Sequence, residues 1–273
     1  MEAAPSRDAL EDALRREWYH TIELAPGVVT PGWFDTRPVA PKIPMPVSLE
    51  GRRCLDVGTF DGFWAFEMER RGAAEVVAID VVDPRRWDWP IPASEEAMAA
   101  ISRRMSEGRG FDIAHRALGS KVRFEDLSVY DLDPDRIGTF DFVYLGSLLL
   151  HLRDPLRALD RVRAVCTGQL LLVENVDFVL SRVSKYRGLA TFDGGGRPWW
   201  WKPNVGALVH MVRSVGFELE QPAERVNIPA GPGHPSWRKV GLKLLRAPDG
   251  RHLALTSLMG DPHAAILARP IAD

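Results

Sequence analysis

The sequence contains little cysteine and no apolar run that approaches the ~20 residues of a membrane span. Its two cysteines, Cys54 and Cys166, both lie in apolar segments, which predicts buried thiols in a reducing cytosol and hence a cytoplasmic protein. No group of cysteines and histidines has the spacing of a zinc site, so no metal is expected. The N-terminus shows no signal-peptide core, and a membrane partner is not expected either.

An excess of charge of one sign is also missing. The formal net charge is −2, which argues against a nucleic-acid partner because phosphate binding needs a basic surface. The 273 residues, 45% of them hydrophobic, are enough for one large α/β domain. We expect an N-terminal helix and lid arm over 1–50, a single globular domain over 51–273, and a monomer or a homodimer.

Glycine is missing where a dinucleotide-binding fingerprint requires it. The segment 53–80 reads as a strand, a tight glycine turn, a helix and a second strand, which together are one nucleotide-binding βαβ unit. Counted from Gly58, the second and third positions of Gly-x-Gly-x-x-Gly hold Phe60 and Phe63, which would crowd a pyrophosphate. No Gly-Lys-Ser/Thr follows, so the loop is not of the Walker type either.

The pattern that remains is Asp56-x-Gly58-x-x-x-Gly62. Its small residues let the backbone approach a ligand closely, and the start of the helix offers free N–H groups. Asp80 ends the second apolar run, where its carboxylate can accept two hydrogen bonds from a ribose diol. The pattern resembles motif I of the class I S-adenosylmethionine (SAM) methyltransferases, whose ligand carries a cationic sulfur and no phosphate.

Later segments extend this resemblance. Ser128 and Val129 follow the predicted third strand, where class I methyltransferases place their contacts to adenine. The phrases Leu-Asp-Val-Gly-Thr-Phe-Asp-Gly-Phe-Trp, Trp-Tyr-His-Thr-Ile, His-Leu-Arg-Asp-Pro and Trp-Lys-Pro-Asn cover most of the chain. They are similar to the branch that includes the carboxymethyl-transferring enzyme of tRNA wobble uridine and related methyltransferase-like proteins.

The resemblance implies an α/β fold with a doubly wound, Rossmann-like sheet and helices on both faces. The sheet would have seven strands, six parallel and one antiparallel at the edge, with Ala264–Arg269 as the antiparallel strand. It also implies SAM as the cofactor and S-adenosylhomocysteine (SAH) as its product. The residues expected to bind the cofactor are Tyr19, His20, Asp56, Gly58, Thr59, Phe60, Asp61, Gly62, Asp80, Ser128, Val129, Gly146 and Ser147.

The resemblance does not imply the tRNA reaction itself. A carboxymethyl donor needs cationic or hydroxyl groups for its extra carboxylate. In the family these are a lysine before motif I, a tyrosine just before the motif's histidine, and an arginine leading into the last strand. Here Leu150 precedes His151, and His263 stands at the last place. We therefore expect ordinary SAM and a methyl transfer.

The acceptor would bind beyond the carboxyl ends of the strands, as ligands of open α/β sheets do. The irregular region after the predicted fifth strand carries three adjacent tryptophans, which we assign to the substrate rather than to simple packing. A hydroxyl acceptor also needs a base within reach of its proton. The substrate candidates are Trp199, Trp200, Trp201 and Tyr186, and the catalytic candidates by position are His151, His20 and Glu174.

The sequence thus predicts a SAM-dependent methyltransferase of small-molecule or secondary metabolism. The acceptor would be a small, hydrophobic or aromatic metabolite, with O-methylation favoured and N- or C-methylation open. One alternative is an RNA-modifying methyltransferase of the same fold, since a group of basic residues occurs between 103 and 123. Another is a SAM-binding protein without catalysis, and a nicotinamide dehydrogenase is the weakest.

Overall fold

The fold is described from a computed structural model. It covers residues 10–11, 13–91, 95–96, 98–99, 110–184, 187–195, 198–234 and 250–271, without the side chains of 250–253 and 255. Part of the predicted N-terminal helix, part of the basic group between 103 and 123, and Tyr186 lie outside these ranges, and Trp18 starts a strand. None of the helices in the described ranges combines the length and the hydropathy needed to cross a bilayer.

The described chain alternates short strands and helices. The strands are β1 (Trp18–His20), β2 (Glu23–Ala25), β3 (Val28–Val29), β4 (Gly32–Phe34), β5 (Arg53–Val57), β6 (Glu75–Asp80), β7 (Arg123–Asp126), β8 (Phe140–Gly146), β9 (Cys166–Asn175), β10 (Ala190–Phe192), β11 (Trp201–Pro203), β12 (Phe217–Leu219), β13 (Glu224–Ile228) and β14 (Asp261–Pro270). The helices are α1 (Phe63–Arg70), α2 (Gly110–Leu118), α3 (Pro134–Ile137), α4 (Pro155–Val165), α5 (Phe178–Val183), α6 (Val205–Ser214) and α7 (Gly250–Met259). Short 3₁₀ helices occur at Pro84–Arg86, Val129–Asp131 and Leu149–His151.

The central sheet has the order β12–β14–β9–β8–β5–β6–β7, and β13 also pairs with β14. Strands β5 to β9 are parallel, whereas β14 is antiparallel to β9 and to both β12 and β13. Helices cover both faces because successive strand residues point to opposite sides. On one side α1 and α2 pack on Cys54 and Phe142, and on the other α4 and α6 pack on Leu55 and Val143. The predicted doubly wound α/β fold is confirmed.

The sheet differs from the prediction at its antiparallel strand. β14 lies one position inside the edge, and its side chains from His263 to Ala268 are buried. An edge strand usually carries charges or proline, so this continuous apolar run is typical of an interior strand. The outer position is shared by β12 and β13, which gives eight strands among the described residues instead of seven. Pro222 separates these two segments, and proline cannot donate a hydrogen bond to a neighbouring strand.

A separate arm precedes the sheet. β1 and β4 pair in parallel, and β2 and β3 form a hairpin between them. Trp18 is buried in the same apolar cluster as α1 and α2, so the arm is packed against the sheet domain. This packing brings the side chains that follow Trp18 to the carboxyl ends of the parallel strands.

The turn between β5 and α1 requires glycine at its last position. Gly62 has a φ of 89°, and a Cβ atom there would lie 2.5 Å from the ring of Phe66 and 2.7 Å from that of Phe111. Gly51 also has a positive φ, 72°, but nothing lies within 4 Å of its Cβ position. Comparing alanine substitutions at the two glycines therefore distinguishes the cost of a positive φ from the cost of steric overlap.

Gly62→Ala is expected to lower the free energy of unfolding by about 3 kcal/mol or more, because overpacking adds to left-handed strain. Gly51→Ala carries only the strain and is expected to lose about 1 kcal/mol. Urea denaturation of both variants measures the difference. Equal losses would show that the packing around Gly62 is looser than described.

Candidate active site

The glycine turn is held by the acid at the end of β6. Asp80 Oδ2 accepts a hydrogen bond from the Phe60 N–H at 2.8 Å, and Oδ1 accepts one from the Val81 N–H at 2.7 Å. Phe60 has a φ of 50°, a conformation that non-glycine residues rarely adopt without support. Each carboxylate oxygen has a second acceptor site, so Asp80 can hold the turn and still bind a ligand hydroxyl.

Asp56 and Thr59 lie behind the turn and not on the wall of the cavity described below. Both are almost fully buried, and Asp56 Oδ2 and Thr59 Oγ1 have no hydrogen-bond partner within the described part of the chain. Burial, reinforced by the negative charge of Asp80, raises the pKa of Asp56 to about 7. The folded protein therefore holds this proton more tightly than the unfolded chain does.

Asp56→Asn is expected to change how stability depends on pH. With a carboxyl pKa raised on folding, the free energy of unfolding falls as the pH rises from the unfolded pKa, about 3.9, to the folded value. Asparagine does not ionise, so the variant is expected to gain roughly 2 kcal/mol relative to wild type between about pH 5 and about pH 8. Urea denaturation at both pH values measures this gain. Parallel pH profiles would mean that Asp56 titrates normally.

Asp61 joins the arm to the turn. Its Oδ2 accepts hydrogen bonds from the backbone N–H groups of Tyr19, at 2.5 Å, and of His20, at 3.0 Å. The carboxylate is buried and does not line the cavity, so its place is between the turn and the arm. It fixes β1 such that the side chains of Tyr19 and His20 stand on the cavity wall.

His20 is a neutral imidazole in this site. Its ring stacks on Phe63 with the centroids 5.7 Å apart, and its Nδ1 has no hydrogen-bond partner within the described residues. Burial lowers the pKa of His20 to about 3. Tyr19 beside it is held as a neutral phenol, because burial and the nearby carboxylates of Asp261 and Glu174 raise its pKa far above its usual value.

Glu174 does not line the cavity, where its predicted catalytic role would place it. The side chain is fully buried behind the wall, and its two oxygens accept hydrogen bonds from the backbone N–H groups of Leu148, Leu149 and Asn175 at 3.0, 2.7 and 2.9 Å. Burial raises its pKa to about 7. The geometry thus shows Glu174 tying the end of β9 to the loop after β8, out of reach of an acceptor in the cavity.

His151 is placed as a general base would be. Its Nδ1 lies 2.7 Å from the carbonyl oxygen of Pro198, which can only accept, so Nδ1 carries the hydrogen and Nε2 keeps its lone pair. The residue lines the cavity, and burial lowers its pKa below the usual value. His151 is therefore a neutral imidazole with a fixed tautomer.

The three tryptophans do not act together. Trp199 lines the cavity, with its ring centroid 6.5 Å from that of His151. Trp200 is buried, and its Nε1 donates to the backbone oxygen of Asp88 at 2.8 Å. Trp201 starts β11 and is partly exposed, with Nε1 3.2 Å from the backbone oxygen of Arg153. Of the three, Trp199 therefore lines the cavity, whereas Trp200 and Trp201 do not.

A cavity of about 420 Å³ lies beyond the carboxyl ends of β5, β6 and β8, and residues of the arm form part of its wall. This volume is typical of a small-molecule site. The predicted residues that line it are Tyr19, His20, Gly58, Phe60, Asp80, Ser128, Val129, Gly146, Ser147, His151 and Trp199. Lining residues that the sequence did not single out include Phe34, Thr36, Trp64, Asp88, Tyr130, Tyr144 and Ile228.

Most of these missed residues carry no motif of their own. Only Trp64 could have been found, because it is the last residue of the motif phrase that begins at Leu55. No group of three histidine, cysteine, aspartate or glutamate side chains that could hold a metal ion occurs in the part of the chain that the structure describes.

Comparison with known proteins agrees with this geometry. Residues 35–221 match the family model of the methyltransferase domain. The chain is 29% identical over 179 residues to the tRNA U34 carboxymethyltransferase of Ectopseudomonas mendocina, which covers 63% of this chain and 47% of that protein. It is 28% identical over 137 residues to Methyltransferase str3 of Strobilurus tenacellus, which covers 49% and 39%. The matched segments thus span half or less of these curated relatives.

Among solved structures, the N-terminal domain of EvdMO1, crystallised with SAH, aligns with a TM-score of 0.52. The alignment covers 98% of this chain and 97% of that domain at 14% sequence identity, which shows a common fold. The family match extends over more than half of the chain and includes the glycine turn, Asp80 and the segment around His151. The protein therefore belongs to the methyltransferase domain family, and the interpretation of its sequence as a class I methyltransferase is confirmed.

Proposed function

We propose that this protein transfers a methyl group from SAM to a small, hydrophobic or aromatic acceptor, with a hydroxyl group as the favoured methylation site. The cavity at the carboxyl ends of the parallel strands carries this proposal. Its wall joins a glycine turn and a strand-end acid to a set of aromatic side chains from the arm and the sheet. The fold shared with an SAH-bound domain supports the choice of cofactor.

The residues present fit SAM. Asp80 lies on the wall, where its carboxylate can accept hydrogen bonds from ribose hydroxyls. Gly58 presents bare backbone with a φ of 76°. Leu127 and Val129 give an apolar shelf for adenine, and Ser128 lies between them on the same wall. When bound, SAM supplies a methyl group on a cationic sulfonium, which suits a wall that carries carboxylates and aromatic rings.

The remaining wall fits an organic acceptor. Phe34, Trp199 and Ile228 supply apolar surface. Thr36 and His20 add polar side chains to the same wall. The chain's own contribution would be to orient the acceptor, exclude water and accept a proton.

Thermal unfolding with each nucleotide tests the cofactor. Saturating SAM or SAH is expected to raise the melting temperature, because a ligand that binds only the folded state stabilises it, and NAD is expected to leave it unchanged. Methyl-labelled SAM incubated with a panel of phenols, alcohols and amines then tests the reaction. Stabilisation by NAD alone would refute the proposal, and SAM binding without any methylated product would favour a non-catalytic SAM-binding protein.

An RNA substrate is the alternative, because two of the similar proteins are tRNA U34 carboxymethyltransferases. The net charge of −2 gives no general attraction to phosphate. Gel retardation of tRNA by the purified protein separates the two proposals. Salt-sensitive retardation would favour an RNA substrate, whereas absence of retardation at low salt would favour a small molecule.

A further inference from the structure

A chain of hydrogen bonds starts on the cavity wall and ends at the backbone oxygen of a buried aspartate. Ser147 Oγ lies 2.9 Å from His263 Nε2. His263 Nδ1 lies 3.0 Å from the backbone oxygen of Asp261 and 3.6 Å from its Oδ2. Tyr19 and Ser147 line the cavity, whereas His263 and Asp261 are buried behind them.

The partners fix the direction of every hydrogen in this chain. The backbone oxygen of Asp261 can only accept, so His263 carries its hydrogen on Nδ1 and Nε2 is an acceptor. Ser147 must then donate to Nε2, and its oxygen can accept a hydrogen bond from the cavity side.

The backbone at Ser147 is strained and is held in place by its neighbours. Ser147 has a φ of 50°, which costs a non-glycine residue about 1–2 kcal/mol. Its N–H donates to the Val173 oxygen at 2.8 Å, and Asn175 Nδ2 donates to Asp261 Oδ2 at 2.5 Å. Strain of this kind persists where the surrounding structure holds a functional group in place.

We propose that Ser147 and His263 form a relay that accepts the proton of the methyl acceptor, an inference that rests on the proposed function. An oxygen lone pair of the acceptor forms the new O–CH₃ bond, and the electron pair of the broken S–CH₃ bond stays on sulfur. The acceptor proton passes to Ser147 as the Ser147 proton passes to His263 Nε2. The resulting imidazolium faces Asp261, and its proton is later lost to water.

The relay also defines the class of acceptor. The Ser147 oxygen, whose hydrogen is donated to His263, binds a hydrogen-bond donor, so the reacting group would be an alcohol, a phenol or an amine. A carboxylate beside Ser147 would meet an acceptor, which disfavours both a carboxylate substrate and a carboxylated SAM at this position. His151 is the competing proton acceptor, because its Nε2 also has a lone pair and the residue lines the same cavity.

The placement of the protons is tested by nitrogen NMR of histidine-labelled protein, with His263→Gln used to assign the signal. Near pH 7, His263 is expected to be neutral with its hydrogen on Nδ1, since burial and the charge of Lys202 outweigh Asp261 in setting its pKa. Ser147→Gly is expected to shift the Nε2 resonance, and glycine adopts this φ without strain. A hydrogen on Nε2, or no shift in the variant, would overturn the relay.

The donor preference is tested with a matched pair of ligands, 2-naphthol and 2-methoxynaphthalene, binding to SAH-saturated protein in calorimetry. The wild type is expected to bind 2-naphthol about tenfold more tightly, the effect of one net hydrogen bond. Ser147→Gly is expected to abolish this preference. The control Tyr130→Phe, which removes a wall phenol bonded to Asp88, is expected to keep it.

Equal or absent binding of the two ligands by the wild type, or a preference that Ser147→Gly leaves intact, would overturn the inference. A preference that instead disappears in His151→Gln would assign proton removal to His151. Failure of the proposed function looks different, because the protein would then bind neither SAM nor SAH, whatever the state of His263. The two failures are therefore distinguishable.

Discussion

Asp80→Ala is expected to weaken SAM binding by about 2 to 3 kcal/mol, or roughly 30- to 150-fold. The variant would lose the hydrogen bonds to the ribose. It would also lose the 2.8 Å hydrogen bond from the Phe60 N–H to Asp80, which holds the strained turn at Phe60. Asp80→Asn retains one acceptor oxygen and is expected to lose less. Calorimetric titration with SAM gives the affinities directly.

The control for this prediction is Asp83→Ala. Asp83 follows Asp80 closely in sequence, but it pairs with Arg85 and is absent from the cavity wall. Its loss is expected to change the affinity by no more than about twofold, as for an exposed ion pair. If Asp80→Ala bound SAM as tightly as Asp83→Ala did, the ribose would have to lie elsewhere.

A large loss of stability is also expected from Asp61→Ala. The substitution removes the acceptor of two backbone N–H groups, the part-buried one of Tyr19 and the buried one of His20, and each unsatisfied buried group costs about 1–3 kcal/mol. We expect the free energy of unfolding to fall by about 3 kcal/mol. Asp61→Asn keeps a carbonyl oxygen and should lose less. Urea denaturation measures the loss, and limited proteolysis reports release of the arm.

Asp35→Ala is the matched variant within the arm. Asp35 forms an ion pair with Arg37 at 2.8 Å near the surface, an interaction that contributes less than about 1 kcal/mol. A stability of Asp61→Ala as high as that of Asp35→Ala would show that the arm is not held by the Asp61 carboxylate. Unchanged proteolysis of the arm would lead to the same conclusion.

The sequence predicts the nucleotide-binding unit well because its signals are local. A short apolar run, glycines that permit a left-handed turn and an acid at the next strand end all lie within 53–80. The structure places Gly58, Phe60 and Asp80 on one wall, as that pattern requires. Such an arrangement depends on steric rules between neighbours in sequence and not on the rest of the fold.

Contacts between distant segments could not be predicted in the same way. Asp61 looked like a cofactor residue because it lies in the motif, but its partners, the N–H groups of Tyr19 and His20, are about forty residues earlier. Ser147 and His263 are 116 residues apart, and only the antiparallel entry of β14 beside β9 brings them together. His263 stood out in the sequence only as a departure from the family pattern.

The tryptophans show a second limit. The sequence assigned three adjacent tryptophans to the substrate together, and it did not indicate which of them faces the cavity. The backbone decides this, because Trp200 N–H donates to the Leu150 oxygen at 2.8 Å and its indole to Asp88. Glu174 does lie at the end of a strand, as expected. Its carboxylate, however, accepts hydrogen bonds from three backbone N–H groups, and these contacts cannot be read from the sequence.

A crystal structure of the protein with SAH tests the central claim most directly. The account predicts SAH in the cavity of about 420 Å³, with its ribose hydroxyls within hydrogen-bond distance of Asp80. Space for an acceptor is expected beside Tyr19, Ser147 and His151. An empty cavity at saturating SAH, or SAH bound with its ribose away from Asp80, would contradict the account.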